Sequence, residues 1–221
     1  MQRFDLQPAF SFLRNLAENN DRSWFEQHKS DYLRAKDAAE VFFQRCIEAF
    51  GQTYPLGELT ARHCIYRIYR DVRFSKNKNP YKTNFAALIA AGGRKSTSVF
   101  AWYLHLEPGN SFLASGNYEP SSEQLAKIRQ EIVYNAAEFR SIVFAKDIGG
   151  YYGEIQGNRL KTAPKGISRD HPEIEFLRLT QLYFMKTYSD AEIQSAAFPQ
   201  RFSEDAQKLL PFLQFLHRAV E

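Results

Sequence analysis

The feature that most constrains this chain is a change in its hydrophobic period. Apolar residues recur at helical spacing through the first fifty residues and alternate every second residue from His63 to Gly116. They return to helical spacing after Ser121. In "PAFSFLRNLAENN", Phe10, Leu13 and Leu16 line one helical face and the Asn pair ends it. Asn20 or Asp21 is suited to cap a long second helix from about Arg22 to Phe50. Its stripe is Phe25, Tyr32, Ala39, Phe42, Phe43, Cys46 and Ile47. "GQTYPLGE" terminates that helix.

In the alternating region, residues 66–75 read as a half-buried strand. "TNFAALIAAGG" reads as a second, "SVFAWYLHLEPG" as a third and "SFLASGNY" as a fourth. The connections "AGGRKST" and "EPGN" are too short for parallel crossovers, so these strands are antiparallel neighbours. Further on, Ser121 with Gln124 forms a capping box, Asn135 with Glu138 starts another helix, and Asp170 with Pro172 suits a short one. "LRLTQLYFMKTYS" reads as a last strand, Ser189 with Glu192 caps a short turn, and Pro211 bends or delays the final helix. Helices, then a meander, then helices predict an α+β fold: an antiparallel sheet with N-terminal and C-terminal helices on one face, in a single domain over 1–221.

Composition excludes several classes. With 19 Phe and 12 Tyr in 221 residues there is ample apolar area for a core, and the 24% of charged residues is that of a globular protein. No run approaches the ~18 apolar residues of a membrane span. "MQRFDLQPAF" is unlike a signal peptide, and Cys46 and Cys64 suggest neither a disulfide framework nor a zinc site. The expectation is a soluble, reduced, cytoplasmic protein with no membrane partner, no metal and no cofactor.

Charge is informative in its distribution. Windows 67–82 and 159–169 hold ten of the 29 Lys and Arg but one of the 25 Asp and Glu, so the remainder of the chain is net acidic. On a strand over 66–75, Tyr66, Ile68, Arg70, Val72 and Phe74 would face the helices. Arg67, Tyr69, Asp71, Arg73 and Ser75 would take the other face. Asp71 would then orient the Arg67 and Arg73 forks, and the turn "SKNKNPYK" would add Lys76, Lys78 and Lys82. Guanidinium groups bind phosphates and carboxylates bidentately, so this cluster predicts an anion site, with Tyr69 and Tyr81 available to stack on a ring. The competing expectation is a network on a wet sheet face over a solvated turn. Arg159, Lys161 and Lys165, in an irregular segment, are expected either to close over the same site or to form a surface loop. His105 falls on the face of Tyr103, opposite Phe100, Trp102, Leu104 and Leu106. It is the candidate for proton transfer, against the plainer role of a hydrogen-bonding surface residue, and Asp71 is the carboxylate nearest such chemistry.

Other motifs fail. "GGRKST" lacks the glycines of a phosphate-binding loop, "GISRD" is one glycine short of a nucleophile elbow, and the histidines show no zinc spacing. The segments "FLRNLAENNDRSWFEQHKSDY", "RIYRDVRFSKNKNPYKTN", "YLHLEPGNSFLASGNYEP" and "LKTAPKGISRDHP" together resemble a bacterial family of unknown function catalogued as conserved hypothetical proteins. The most specific motif, R-D-x-R-F-S-x-x-K-x-P-Y-K, is carried by Arg70, Asp71, Arg73, Phe74, Ser75, Lys78, Pro80, Tyr81 and Lys82. Where that family often has Asp-Lys-Thr-Pro-Tyr-Lys, Asn77 and Asn79 replace the acid and the threonine. The resemblance implies one domain and assigns no reaction. The leading expectation is therefore an anionic small-molecule ligand (a phosphorylated metabolite or nucleotide) bound by an enzyme or a binding protein. The alternatives are single-stranded nucleic-acid binding, which interleaved aromatic and basic residues suit, and docking of an acidic protein partner.

Overall fold

A computed structural model describes residues 4–221. Helices α1 (Gln7–Glu18), α2 (Arg22–Gln27), α3 (Lys29–Gly51) and α4 (Ala61–Cys64) precede strand β1 (Phe85–Ile89). A single 3-10 turn at Gly93–Lys95 leads to β2 (Trp102–Leu106) and β3 (Ser111–Asn117). Then come α5 (Ser122–Tyr134), α6 (Ala136–Val143), α7 (Gly149–Tyr152), α8 (Ile174–Leu177), β4 (Leu182–Tyr188), α9 (Asp190–Gln194), α10 (Phe198–Lys208) and α11 (Leu210–Val220). The strands form one antiparallel sheet in the order β1-β2-β3-β4, and the fold is α+β. The chain divides into two compact units. The first takes the described residues up to Ser96 with Tyr103–Leu113 and Thr187–Glu204; the second takes Thr97–Trp102, Ala114–Lys186 and Asp205–Glu221.

In the first unit, α1 packs against α3, and α3 packs against β1. The predicted stripe is the one buried: Ala39, Phe42, Phe43 and Cys46 are fully inaccessible, as are Phe10 and Leu16 of α1. Asp21 caps α2, its carboxylate accepting the Trp24 N–H at 3.0 Å. The expected single helix over 22–50 is broken at His28, whose φ and ψ are −106° and 25°. There the imidazole stacks on Trp24 with centroids 4.1 Å apart, and its Nδ1 donates to the Trp24 carbonyl at 2.8 Å. That local contact competes with continuation of the helix.

The expected strand over 66–75 does not form. Residues 65–70 run beside 80–87 through Tyr66 N to Ala86 O (2.9 Å), Lys82 N to Ile68 O (2.8 Å) and Arg70 N to Pro80 O (2.9 Å). Only the bridges Ile65–Ala87 and Tyr69–Tyr81 result. Pro80 has no N–H to return to Arg70, so the ladder stops there and 71–79 is a projecting loop. Phe74, expected to face the helices, is 95% exposed at that loop's tip.

In the second unit, α11 packs against α5 and α6. The capping box of Ser121 and Gln124 is present, whereas Asn135 makes no capping bond at the start of α6 and instead donates to Glu131. The short helix expected after Asp170 begins at Ile174 and ends at Leu177, the first residue of the expected last strand, whose observed counterpart β4 starts only at Leu182. Pro211 sits in the first turn of α11, which it starts as a separate helix. Segment 156–160 runs beside 178–183, with bridges at Gln156–Tyr183 and Arg159–Leu179. Gly157 permits this: an added Cβ would lie 1.9 Å from the Gln181 carbonyl oxygen.

Candidate anion site and a polar network on strand β2

The first unit contains an open hollow of about 610 Å³ lined by Tyr32, Lys36 and Glu40 of α3, Arg62 of α4, Ile65, Tyr66, Arg67, Phe85 and Arg94. Four cations thus share a cleft with one carboxylate. Glu40 is spent on two of them, holding Lys36 Nζ at 3.1 Å and Arg62 Nε at 3.3 Å. Arg94 Nη1 donates to the carbonyls of Arg62 at 2.7 Å and His63 at 3.2 Å, which aims its fork along the wall. This depends on Gly93, at φ +63°, where an added Cβ would lie 2.4 Å from the His63 carbonyl oxygen. Arg67 is exposed and makes no hydrogen bond or ion pair with any described residue. Like charges gathered this closely favour an anion between them.

Of the residues singled out from sequence, Arg67 lines this hollow and Lys82 stands at its edge. Lys82 is half-buried, with Nζ 5.3 Å from the Tyr66 ring centroid; burial and the charge of Arg67 both lower its pKa. The others have different employment. Asp71 grips Arg73 alone, accepting Nη2 at 2.6 Å and Nε at 3.0 Å, in an exposed pair that lowers the Asp71 pKa. Lys78 Nζ donates to the Val72 carbonyl at 3.0 Å and closes the loop on itself. Tyr69 keeps an exposed ring, and its hydroxyl accepts Lys29 Nζ at 3.4 Å. Tyr81 belongs to the core: its ring stacks on Phe25 at 3.9 Å, and the Asn20 side-chain amide bonds its backbone on both sides at 3.1 Å. Lys161 and Lys165 lie in the second unit. There Lys161 lines a smaller hollow of about 250 Å³ with Arg169 and Arg178, and Lys165 is exposed.

His105 is buried, with relative exposure of 7%. Its Nε2 lies 3.1 Å from Glu107 Oε2 and its Nδ1 lies 3.1 Å from the Tyr103 hydroxyl, while Phe112 stacks on the ring at 4.5 Å. Burial lowers the His105 pKa, against the raising effect of Glu107. Glu107 also accepts from Thr83 Oγ1 at 2.6 Å and Asn110 Nδ2 at 2.8 Å. Burial acts to raise its pKa, yet those hydrogen bonds outweigh it and the carboxyl titrates below its ordinary value. The alternation in "YLHLE" signalled this trio, although only Tyr103 and His105 are placed on that face by the sequence reading. Lys36, Arg62 and Arg94 had no comparable signal, because they converge from three separate segments. Among the described residues, no three His, Cys, Asp or Glu side chains cluster as a metal site requires.

The family model of a conserved hypothetical protein, DUF2461, matches residues 8–215. The chain belongs to that family. The match runs through both compact units and includes every residue of the hollow and of the β2 network. No curated protein and no solved structure is significantly similar to the chain.

Proposed function

We propose that this DUF2461 member binds an anionic small molecule, a phosphorylated metabolite or nucleotide, in the hollow between α3, α4 and Arg67. The observation that carries the reading is a cleft with four cations and one carboxylate, in which Arg67 makes no ion pair with any described residue. Arg67 and Arg94 clamp the anion, Lys82 adds charge from the edge, and Tyr66 offers a ring face to a base or sugar. A ligand binding only the folded state at a hundred times its Kd stabilises it by about 2.7 kcal/mol. In a chain of this size that raises Tm by roughly 5 °C or more. Thermal denaturation across a panel of nucleotides and sugar phosphates tests this. At least one is expected to give such a shift, lost in the Arg67→Ala, Arg94→Ala double variant. No shift with any ligand, or equal shifts in the variant, would overturn the reading.

A second reading is favoured by the loop 71–79. Phe74 stands 95% exposed, with the Arg73 guanidinium 5.8 Å from its ring centroid and Lys76 nearby in sequence. An aromatic platform among cations suits single-stranded nucleic acid. It predicts binding of an unstructured oligonucleotide that weakens steeply with salt and is reduced in Phe74→Ala. Affinity insensitive to salt would remove it.

A further inference from the structure

Outside the hollow, Tyr103, His105 and Glu107 form a hydrogen-bonded titratable cluster in the first unit, on alternate positions of β2 and its end. Its protons can be placed from the bonds. A carboxylate only accepts, so Nε2 of His105 carries the hydrogen that faces Glu107 at 3.1 Å. Nδ1 is then left with a lone pair, and the Tyr103 hydroxyl at 3.1 Å donates to it. The sequence hydroxyl, imidazole, carboxylate is the arrangement that activates a nucleophilic hydroxyl elsewhere in enzyme chemistry. Glu107 is held in turn by Thr83 and Asn110, and the imidazole is clamped by Phe112, so the geometry is fixed before any ligand arrives.

Two links join this cluster to the hollow. The Tyr66 ring, which lines the hollow, has its centroid 6.3 Å from that of Tyr103. Lys82 stands 5.3 Å from the Tyr66 centroid, and its charge acts on His105 while Arg67 acts on it. We propose that Tyr103, which remains partly exposed, is a base-activated nucleophile that receives a phosphoryl group from a phosphate ester bound in the hollow, with His105 as general base and Glu107 as a positioning residue. This rests on the anion-binding reading above. In the first step Tyr103 Oη bonds to phosphorus as the ester's bridging oxygen departs. The hydroxyl proton passes to His105 Nδ1 and then to that departing oxygen. Water next attacks the phosphotyrosine, and Tyr103 Oη recovers a proton from it through His105 as inorganic phosphate leaves.

An aryl sulfonyl fluoride tests this on the full chain, because a phenolate displaces fluoride from sulfur to give a stable sulfonate ester. Labelling of each tyrosine is followed by peptide mass spectrometry, with Tyr134, 72% exposed, as the internal reference. Tyr103 is expected to react about tenfold or more faster than Tyr134, within the range general-base assistance supplies. The excess should vanish in His105→Phe and in Glu107→Gln, the second guarding against a folding defect in the first. Millimolar pyrophosphate should slow Tyr103 and leave Tyr134 unchanged. A Tyr103 rate no greater than that of Tyr134, or one unaffected by either substitution, would overturn the proposal. Fast labelling without pyrophosphate protection would instead overturn the hollow as the ligand site while leaving the activated tyrosine standing.

Discussion

Arg67 and Arg73, six residues apart in the sequence, show how little charge alone decides. Arg73 is bound by Asp71 through both Nε and Nη2, whereas Arg67 faces a cleft that already has more cations than acids. The Asp71–Arg73 pair is solvent-exposed, so Asp71→Asn should leave the denaturation midpoint unchanged within error; chemical denaturation checks this. His105 has the opposite standing. Its pKa is lowered below the ordinary 6.5 by burial, with Glu107 opposing and Lys82 adding to the effect. Between the two values the unfolded chain binds more protons than the folded one, so this residue's contribution is present above about pH 6.5 and is lost as pH falls through the folded value. Glu107, also titrating low, adds a loss in the same direction at more acidic pH. Denaturation from pH 8 to 5 should show stability falling with acid in the native chain, with a shallower fall in His105→Gln. An equal slope in both would contradict the assignment.

At the scale of elements, the turns and caps do the positioning. Gly93 combines φ +63° with a virtual Cβ 2.4 Å from backbone, so Gly93→Ala must displace either the turn or α4. The expected cost is about 2 kcal/mol or more, together with loss of ligand-induced stabilisation as Arg94 leaves the carbonyls of Arg62 and His63. Asp21→Ala removes the α2 cap and should cost roughly 1 kcal/mol without affecting ligand binding. The contrast between those two variants, read by denaturation with and without ligand, separates a site-forming turn from a purely structural cap. β2 is legible in the sequence because Leu104 and Leu106 alternate with Tyr103 and His105, the period of a strand. The strand expected at 66–75 fails because the same alternation is overridden by one missing N–H at Pro80. The break at His28 was illegible for another reason: Trp24 and His28 stand four residues apart, the spacing an unbroken helix would also give, so their stacking carries no signal of a break.

Across the whole molecule, α+β class and the burial of the long aromatic stripe followed from period and composition, since both are properties of a chain averaged over many residues. The site was legible only in part. Arg67 and Lys82 announced themselves by local charge density, but Lys36, Arg62 and Arg94 become neighbours only through folding, and Tyr81 shares the basic window while serving the core. The two basic windows fall in different compact units, and the proposed ligand hollow belongs to the first. In the proposed function, positive charge in the α3–α4 hollow recruits a negatively charged ligand. Titration calorimetry of inorganic pyrophosphate into the native chain and into Arg67→Glu measures this directly. Saturable heat from the native chain, abolished by the charge reversal in a variant of unchanged stability, is the predicted result; identical isotherms, or no binding to the native chain, would contradict it.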